Sequence, residues 1–217
     1  MKNITFFPRS LGFGLLTIAL LVSCSQDSII DETQSSLDVQ SKSFNEMISS
    51  TPNHPILDES QAQLLEKISK EVILLAQKPE FRESIFTETV KQKSGDYDIE
   101  LSSLNDILKS DTELKLSFSK ISDLSKQFEN VSGGIKLKLY YPRAGTFEKQ
   151  GVTSPNFYTK SSDSPEIVIM NTYNEDYSSP AYQLNDKEDL VFTQNVTEDY
   201  ANNSNVYVIG SESLQRT

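Results

Sequence analysis

Few side chains in this sequence have the chemistry of a nucleophilic or metal-assisted active site. His54 is the sole histidine of the 217 residues and Cys24 is the sole cysteine. His54 lies between Pro52 and Pro55, in a segment typical of an exposed turn, and no Gly-x-Ser-x-Gly motif accompanies it. A zinc site needs several His, Cys or acidic ligands, and the sequence also lacks the HExxH, phosphate-loop and dinucleotide-binding motifs. The sequence therefore predicts neither a nucleophilic triad nor a zinc centre.

Carboxylate pairs are the remaining catalytic candidates, because two acids alone can hydrolyse a glycosidic bond. Three such pairs lie in predicted turns, where acids are ordinarily solvated: Asp96/Asp98, Glu175/Asp176 and Glu198/Asp199. The oxygen-rich stretches 171–176 and 185–189 could instead offer ligands to a hard cation such as Ca²⁺, but neither has the spacing or the central glycine of an EF-hand. We therefore expect a protein that is not an enzyme and that carries no metal or other cofactor.

The one cysteine ends a stretch that has the three parts of an export signal. Lys2 and Arg9 give it a positive start, and no acid precedes Asp27. Residues 11–22 (LGFGLLTIALLV) form an apolar run that is too short to cross a bilayer comfortably as a helix. The run ends in Leu21-Val22-Ser23-Cys24, which is an aliphatic residue, a tolerant position, a small residue and a nucleophilic thiol.

This tetrapeptide resembles the lipobox of bacterial lipoproteins. The resemblance implies a diacylglycerol on the Cys24 thiol, cleavage of residues 1–23, and a further acyl chain on the new amine, which together give stable membrane anchoring. Ser25 stands where an inner-membrane retention signal would have aspartate, so we expect a lipid-anchored protein of the outer membrane that faces the periplasm or the cell surface. The alternatives are an ordinary cleaved signal peptide and an uncleaved membrane anchor.

Two further resemblances point to the Bacteroidota. Asp27-Ser28-Ile29 resembles the short O-glycosylation motif of that phylum, which makes Ser28 a candidate glycosylation site. The stretches LLAQKPEFRESIFTETVKQKSGDYDIELSSL, IKLKLYYP and NVYVIGSE are similar to the leading region of uncharacterised Bacteroidota lipoproteins. In those proteins the same order of helices and strands often precedes additional sequence. The resemblance implies no activity, and it leaves open that this chain is part of a longer protein.

The composition is acidic, with a formal net charge of −11, and removal of residues 1–23 would leave 18 basic and 31 acidic residues, a charge of −13. Nucleic acids and anionic lipids bind to clustered Lys and Arg, so we expect no nucleic-acid partner. The acid excess is greatest from 161 to 212, with ten acids and Lys187 as the single base. Tryptophan is absent, which counts against a dedicated glycan-binding surface.

Apolar periodicity divides the mature chain into three parts. Residues 24–42 are polar and Ser- and Gln-rich, as expected of a flexible tether. Residues 43–131 carry apolar side chains at three- and four-residue spacing, which predicts three or four helices. Gly133 and Gly134 end that pattern, and residues 132–217 change to alternation with period two. The predicted strands are 135–141, 167–170, 182–184, 190–192 and 206–209, with a turn-rich segment at 143–164.

The sequence thus predicts an α+β fold in which a helical half covers a small, mostly antiparallel sheet, with residues 43–217 forming one domain. The leading functional hypothesis is a non-enzymatic envelope lipoprotein that binds another envelope protein. One alternative is a carbohydrate- or cation-binding surface module. The other is the leading domain of an exported hydrolase.

Overall fold

The computed structural model describes residues 44, 57–91, 97–107, 112–153, 155–156, 164–169 and 178–211. All of them belong to one compact unit, Gln40–Thr217. The predicted signal peptide (1–23) and tether (24–42) lie outside the described residues.

Helices dominate the first half of the described chain and strands dominate the second, which confirms the α+β prediction. The elements follow in this order: α1 Glu59–Ala76, α2 Pro79–Thr89, β1 Asp98–Glu100, α3 Leu104–Ile107, α4 Thr112–Val131, β2 Lys138–Tyr140, α5 Pro142–Lys149, β3 Glu166–Ile169, β4 Ser179–Leu184, β5 Leu190–Val196, α6 Glu198–Asn203 and β6 Val206–Gly210.

The sequence predicts that the first long helix is capped by Asp58 or Ser60 and ends at Lys78-Pro79, and the structure agrees. Asp58 accepts the Gln61 backbone N–H at 2.8 Å, and the Gln61 side chain accepts the Asp58 N–H at 3.1 Å, which is a complete capping box. Pro79 starts α2 directly after α1 ends, because proline suits the first turn of a helix but not its interior. The apolar faces of α1, α2 and α4 meet in a core whose largest members include Leu65, Ile68, Phe81, Phe118, Ile121 and Phe128.

The six strands form one sheet in the order β1-β2-β6-β3-β4-β5. All neighbouring strands are antiparallel except β3 and β6, which are parallel with Ile167 opposite Tyr207. The last strand in the sequence therefore lies inside the sheet, and β5 lies at its edge.

Both faces of the sheet are apolar. In β6, Tyr207 and Ile209 point into the main core under the long helices, while Val206 and Val208 belong to a second cluster on the other face. Ala201 of α6 packs in that second cluster, so a short C-terminal helix covers the face that the long helices do not. The sequence does not predict this second layer, because α6 has only six residues and is too short to show helical periodicity.

The segment 143–164 was predicted to be turn-rich, and its start is instead the helix α5. The predicted strand 135–141 stops before Pro142, and this proline also occupies the first turn of α5. Gly145 makes the helix hard to recognise in the sequence, because glycine is unfavourable in helices. The structure requires a glycine at this position, because a Cβ would come within 2.8 Å of the Tyr97 ring. Strand β1 was also missed, since three residues are too few to show alternation.

Candidate functional site

The predicted modification sites, Cys24 and Ser28, and the lone His54 lie outside the described residues. Of the three carboxylate pairs, only Glu198/Asp199 lies wholly within the described residues. Asp98 forms an ion pair of 3.1 Å with Lys138 across β1 and β2. Asp96, Glu175 and Asp176 lie outside the described residues, and Glu198 and Asp199 occupy the exposed first turn of α6, where acids complement the helix dipole. Asp98 thus has a structural position, and Glu198 and Asp199 have solvated ones.

The oxygen-rich stretch 185–189 is the tight loop of the β4–β5 hairpin. Its Asn185 Oδ1 accepts the backbone N–H groups of Lys187 and Asp189, both at 2.9 Å. Asp189 also lies 3.7 Å from the Lys70 ammonium. The Asn185 side chain thus stabilises the turn itself. Within the part of the chain that the structure describes, no three His, Cys, Asp or Glu side chains converge on a metal position.

The edge strand β5 has the features of an interaction surface. Among the described strands it pairs only with β4, so its other side presents backbone groups to an added strand. Its seven residues, LVFTQNV, carry no charge. Val191 is 37% exposed and Phe192 is 54% exposed, and the Phe192 ring meets buried Tyr182 edge-to-face at 6.3 Å. The Phe192 side chain is therefore exposed at the surface while its ring packs against a buried residue.

A β-bulge divides β5 at Thr193. Ala181 of β4 is opposite Gln194 and Tyr182 is opposite Phe192, which leaves Thr193 as the extra residue. Leu190 before the bulge belongs to the main core, whereas Val196 after it belongs to the second cluster. Side chains at alternate positions therefore point to one face of the sheet before the bulge and to the other face after it. The alternation of apolar residues is interrupted at this point, which explains why the predicted strand ends at Phe192.

The bulge is fixed by a buried carboxylate. Glu166 of β3 is only 4% exposed, and its Oε1 lies 2.8 Å from the Thr193 hydroxyl. The Gln194 amide donates to both Glu166 oxygens, at 3.0 and 3.1 Å, and to the Tyr200 hydroxyl at 2.8 Å. Hydrogen bonds to a buried charged group contribute more than neutral ones do. Glu166 thus stabilises the bulge of the edge strand β5, although it lies in β3, two strands away in the sheet.

Replacing Glu166 with glutamine is expected to lower the free energy of unfolding by about 1–3 kcal/mol, because the new amide places a donor where Thr193 and Gln194 need acceptors. Urea unfolding of the full chain in detergent measures this loss. The matched variant Glu188→Gln alters an exposed acid of the hairpin loop and is expected to change stability by less than about 0.5 kcal/mol. Equal stabilities of the two variants would contradict the role of Glu166.

Acids flank β5 at both ends. From 178 to 211 the chain has five acids and one lysine, Lys187. Three of the acids lie in the loop before β5, and Glu198 and Asp199 directly follow the strand. Strand β5 is thus an uncharged segment with acidic residues before and after it. The sequence shows this charge pattern, but only the strand order shows that it lies at the edge of the sheet.

Phe192 and Tyr200, the exposed aromatic residues that the structure describes near β5, do not form a common platform for a sugar ring. Phe192 precedes the bulge, and Tyr200 bonds to Gln194, which follows it. Because the bulge exchanges faces, the two rings lie on opposite sides of the sheet.

None of the helices in the described part of the chain is long and apolar enough to cross a membrane. No protein-family model, no curated protein and no solved structure matches the chain.

Proposed function

We propose that this chain is a lipid-anchored protein of the bacterial outer membrane whose folded unit binds a partner protein on strand β5. The partner contributes an extended segment, which pairs with the outer edge of β5 and packs an apolar side chain against Phe192. Main-chain hydrogen bonds supply affinity in such strand addition, and the exposed side chains supply specificity. The protein is thus an interaction module and not an enzyme.

The observation that carries this proposal is the exposure of Phe192 on an edge strand. Natural edge strands are usually protected by charge, proline or shortness, and β5 has seven residues without charge or proline. Its bulge gives partial protection, since it interrupts the ladder at Thr193. The stretch before the bulge, Leu190–Phe192, remains available for pairing.

The acidic ends of β5 determine which partner suits it. If two copies paired through β5, in either direction, acids of one copy would lie beside acids of the other. Like charges at close range disfavour such a pair, so self-association is opposed. A strand with Lys or Arg at its ends would gain attraction at the same positions. We therefore assign β5 an extended partner segment with basic flanks.

The lipobox pattern supports the location. A lipid on Cys24 and the polar residues 25–42 would hold the folded unit near the membrane while allowing it to reach neighbouring envelope proteins. Tethering also raises the effective concentration of the unit at the membrane.

Photo-crosslinking in intact cells tests this function. A photoreactive phenylalanine analogue is placed at position 192 of the full chain, and a control is placed at Leu116 of α4, which is 72% exposed. We expect position 192 to crosslink to one envelope protein, through a segment whose sequence is extended and basic at its ends. Equal crosslinking at position 116, or crosslinks to a globular surface without such a segment, would contradict the proposal.

A further inference from the structure

Strand β3 carries a carboxylate into an otherwise apolar face of the sheet. Glu166 is buried, and Val168, two residues further along the same strand, belongs to the second apolar cluster. Because alternate residues of a strand point to the same face, the Glu166 side chain lies on that face as well. Burial of a charged group is unfavourable unless hydrogen bonds compensate for the lost water. The contacts that Glu166 makes must therefore offset this penalty.

Those contacts hold both residues of the β5 bulge. The Thr193 hydroxyl lies 2.8 Å from the Glu166 Oε1, and the Gln194 amide donates to the same oxygen at 3.0 Å. The Thr193 hydroxyl also lies 3.1 Å from the Ala181 carbonyl of β4. Gln194 is held from another direction as well, since its amide donates to the Tyr200 hydroxyl of α6 at 2.8 Å. Groups from β3, β4 and α6 thus fix the bulge in place.

The bulge lies at the centre of the edge strand. Thr193 is the middle residue of Leu190–Val196, with residues 190–192 before it and residues 194–196 after it. A bulge disrupts the regular spacing of the backbone N–H and C=O groups, bends the strand and increases its twist. An added strand can therefore form a regular ladder with one of these two stretches but not with both. Each ladder would be short, since strands in folded proteins typically have about five or six residues.

A central bulge has its largest effect on pairing between two copies of this chain. Without the bulge, β5 would present a regular edge that has neither charge nor proline, which is the kind of edge that pairs with another copy of itself. The acids at both ends of β5 oppose such pairing, but salt screens exposed charges beyond about 8 Å at physiological ionic strength. The bulge changes the backbone itself, so its effect does not depend on salt. It therefore protects the edge where charge repulsion is weak.

We propose that Glu166 determines the specificity of the β5 surface by keeping the bulge in place. The bulge prevents two copies of the chain from pairing along the whole of β5, and it confines the strand of a partner protein to residues 190–192. Glu166 is buried and acts through Thr193 and Gln194, so it is a positioning residue. This role rests on the function proposed for β5, but its test needs no partner protein.

Deletion of Thr193 tests this role, because it removes the bulge and keeps the other residues of β5 on their present faces. Phe192 and Gln194 already lie opposite adjacent residues of β4, so the shortened strand matches Ser179–Leu184 residue for residue. Sedimentation velocity of the full chain in detergent is measured in about 1 M sodium chloride, where the Debye length of about 3 Å removes the repulsion between the acids. We expect the parent protein to be monomeric and the deletion variant to sediment as a dimer or a larger assembly.

Further variants separate edge pairing from misfolding. Addition of Phe192→Lys to the deletion variant is expected to restore the monomer, because it removes an exposed apolar side chain and places a lysine on the edge strand. Glu166→Val removes the acceptor of both bulge residues and suits the apolar cluster, so it is expected to self-associate and to be restored by the same lysine substitution. Glu188→Gln alters an exposed acid of the hairpin loop and is expected to remain monomeric.

Four results would overturn this role of Glu166. They are a self-associating parent protein, a monomeric deletion variant, a monomeric Glu166→Val variant, and self-association that persists after Phe192→Lys is added. The last result would assign the association to misfolding or to a surface other than β5. The proposed function is decided separately by photo-crosslinking at position 192, so either can fail while the other holds.

Discussion

Replacing Cys24 with serine is expected to abolish fatty-acid labelling of the protein and to remove it from the outer-membrane fraction. In the proposed lipidation the thiol forms the thioether to diacylglycerol, and a hydroxyl is a far weaker nucleophile at neutral pH. The acyl chains are the attachment to the outer membrane that the proposal assigns to this protein. Metabolic labelling with a fatty-acid analogue, followed by membrane fractionation, measures both losses.

The neighbouring variant Ser25→Ala serves as the control, since it leaves the thiol and the pattern Leu21-Val22-Ser23-Cys24 intact. It is expected to be labelled like the parent. Fatty-acid label that persists in the Cys24→Ser variant would exclude acylation of this cysteine. Outer-membrane residence of an unlabelled parent would favour an ordinary signal peptide and a different mode of attachment.

Replacing Phe192 with lysine is expected to lower recovery of the partner protein by about tenfold or more. The substitution removes an apolar contact worth about 1.5–3 kcal/mol, which corresponds to roughly a 10- to 150-fold change in affinity. It also places a lysine on an edge strand, the charge that natural proteins use to prevent strand pairing, and it repels basic partner flanks. Quantitative co-purification from crosslinked cells measures the change.

Two comparisons separate this effect from unfolding. Phe192 is 54% exposed, so the free energy of unfolding is expected to fall by less than about 1 kcal/mol. Leu116→Lys changes a still more exposed apolar residue on α4 and is expected to leave partner recovery unchanged. If both variants reduced recovery equally, the binding surface could not be assigned to β5.

The long elements of the fold could be predicted because each shows its period over many residues. Helix α4 is predicted at about 112–129 and observed at Thr112–Val131, and its apolar positions recur over about four turns. Strand β6 is predicted at 206–209 and observed at Val206–Gly210, since four consecutive apolar residues follow a polar segment. The start of helix α1 is predicted from its capping chemistry, which is local: Asp58 or Ser60 is the expected cap, and Asp58 is the cap observed.

The edge at β5 could not be predicted, because strand order depends on contacts between residues far apart in the sequence. Nothing local shows that β6 pairs with β2 and β3 and so leaves β5 outside. The buried role of Glu166 is equally non-local, since its partners Thr193 and Gln194 lie 27 and 28 residues away. The stacked rings of Tyr141 and Tyr207 are non-local as well, because the two residues come from separate parts of the chain.

Amide hydrogen exchange of the protein, alone and bound to its crosslink-identified partner, tests strand addition on β5 most directly. Pairing with a new strand would place outward amides of Leu190–Phe192 in hydrogen bonds and slow their exchange by about tenfold or more, while α4 exchanges at an unchanged rate. Binding with unchanged exchange in β5, or with protection confined to the helices, would contradict the proposed function.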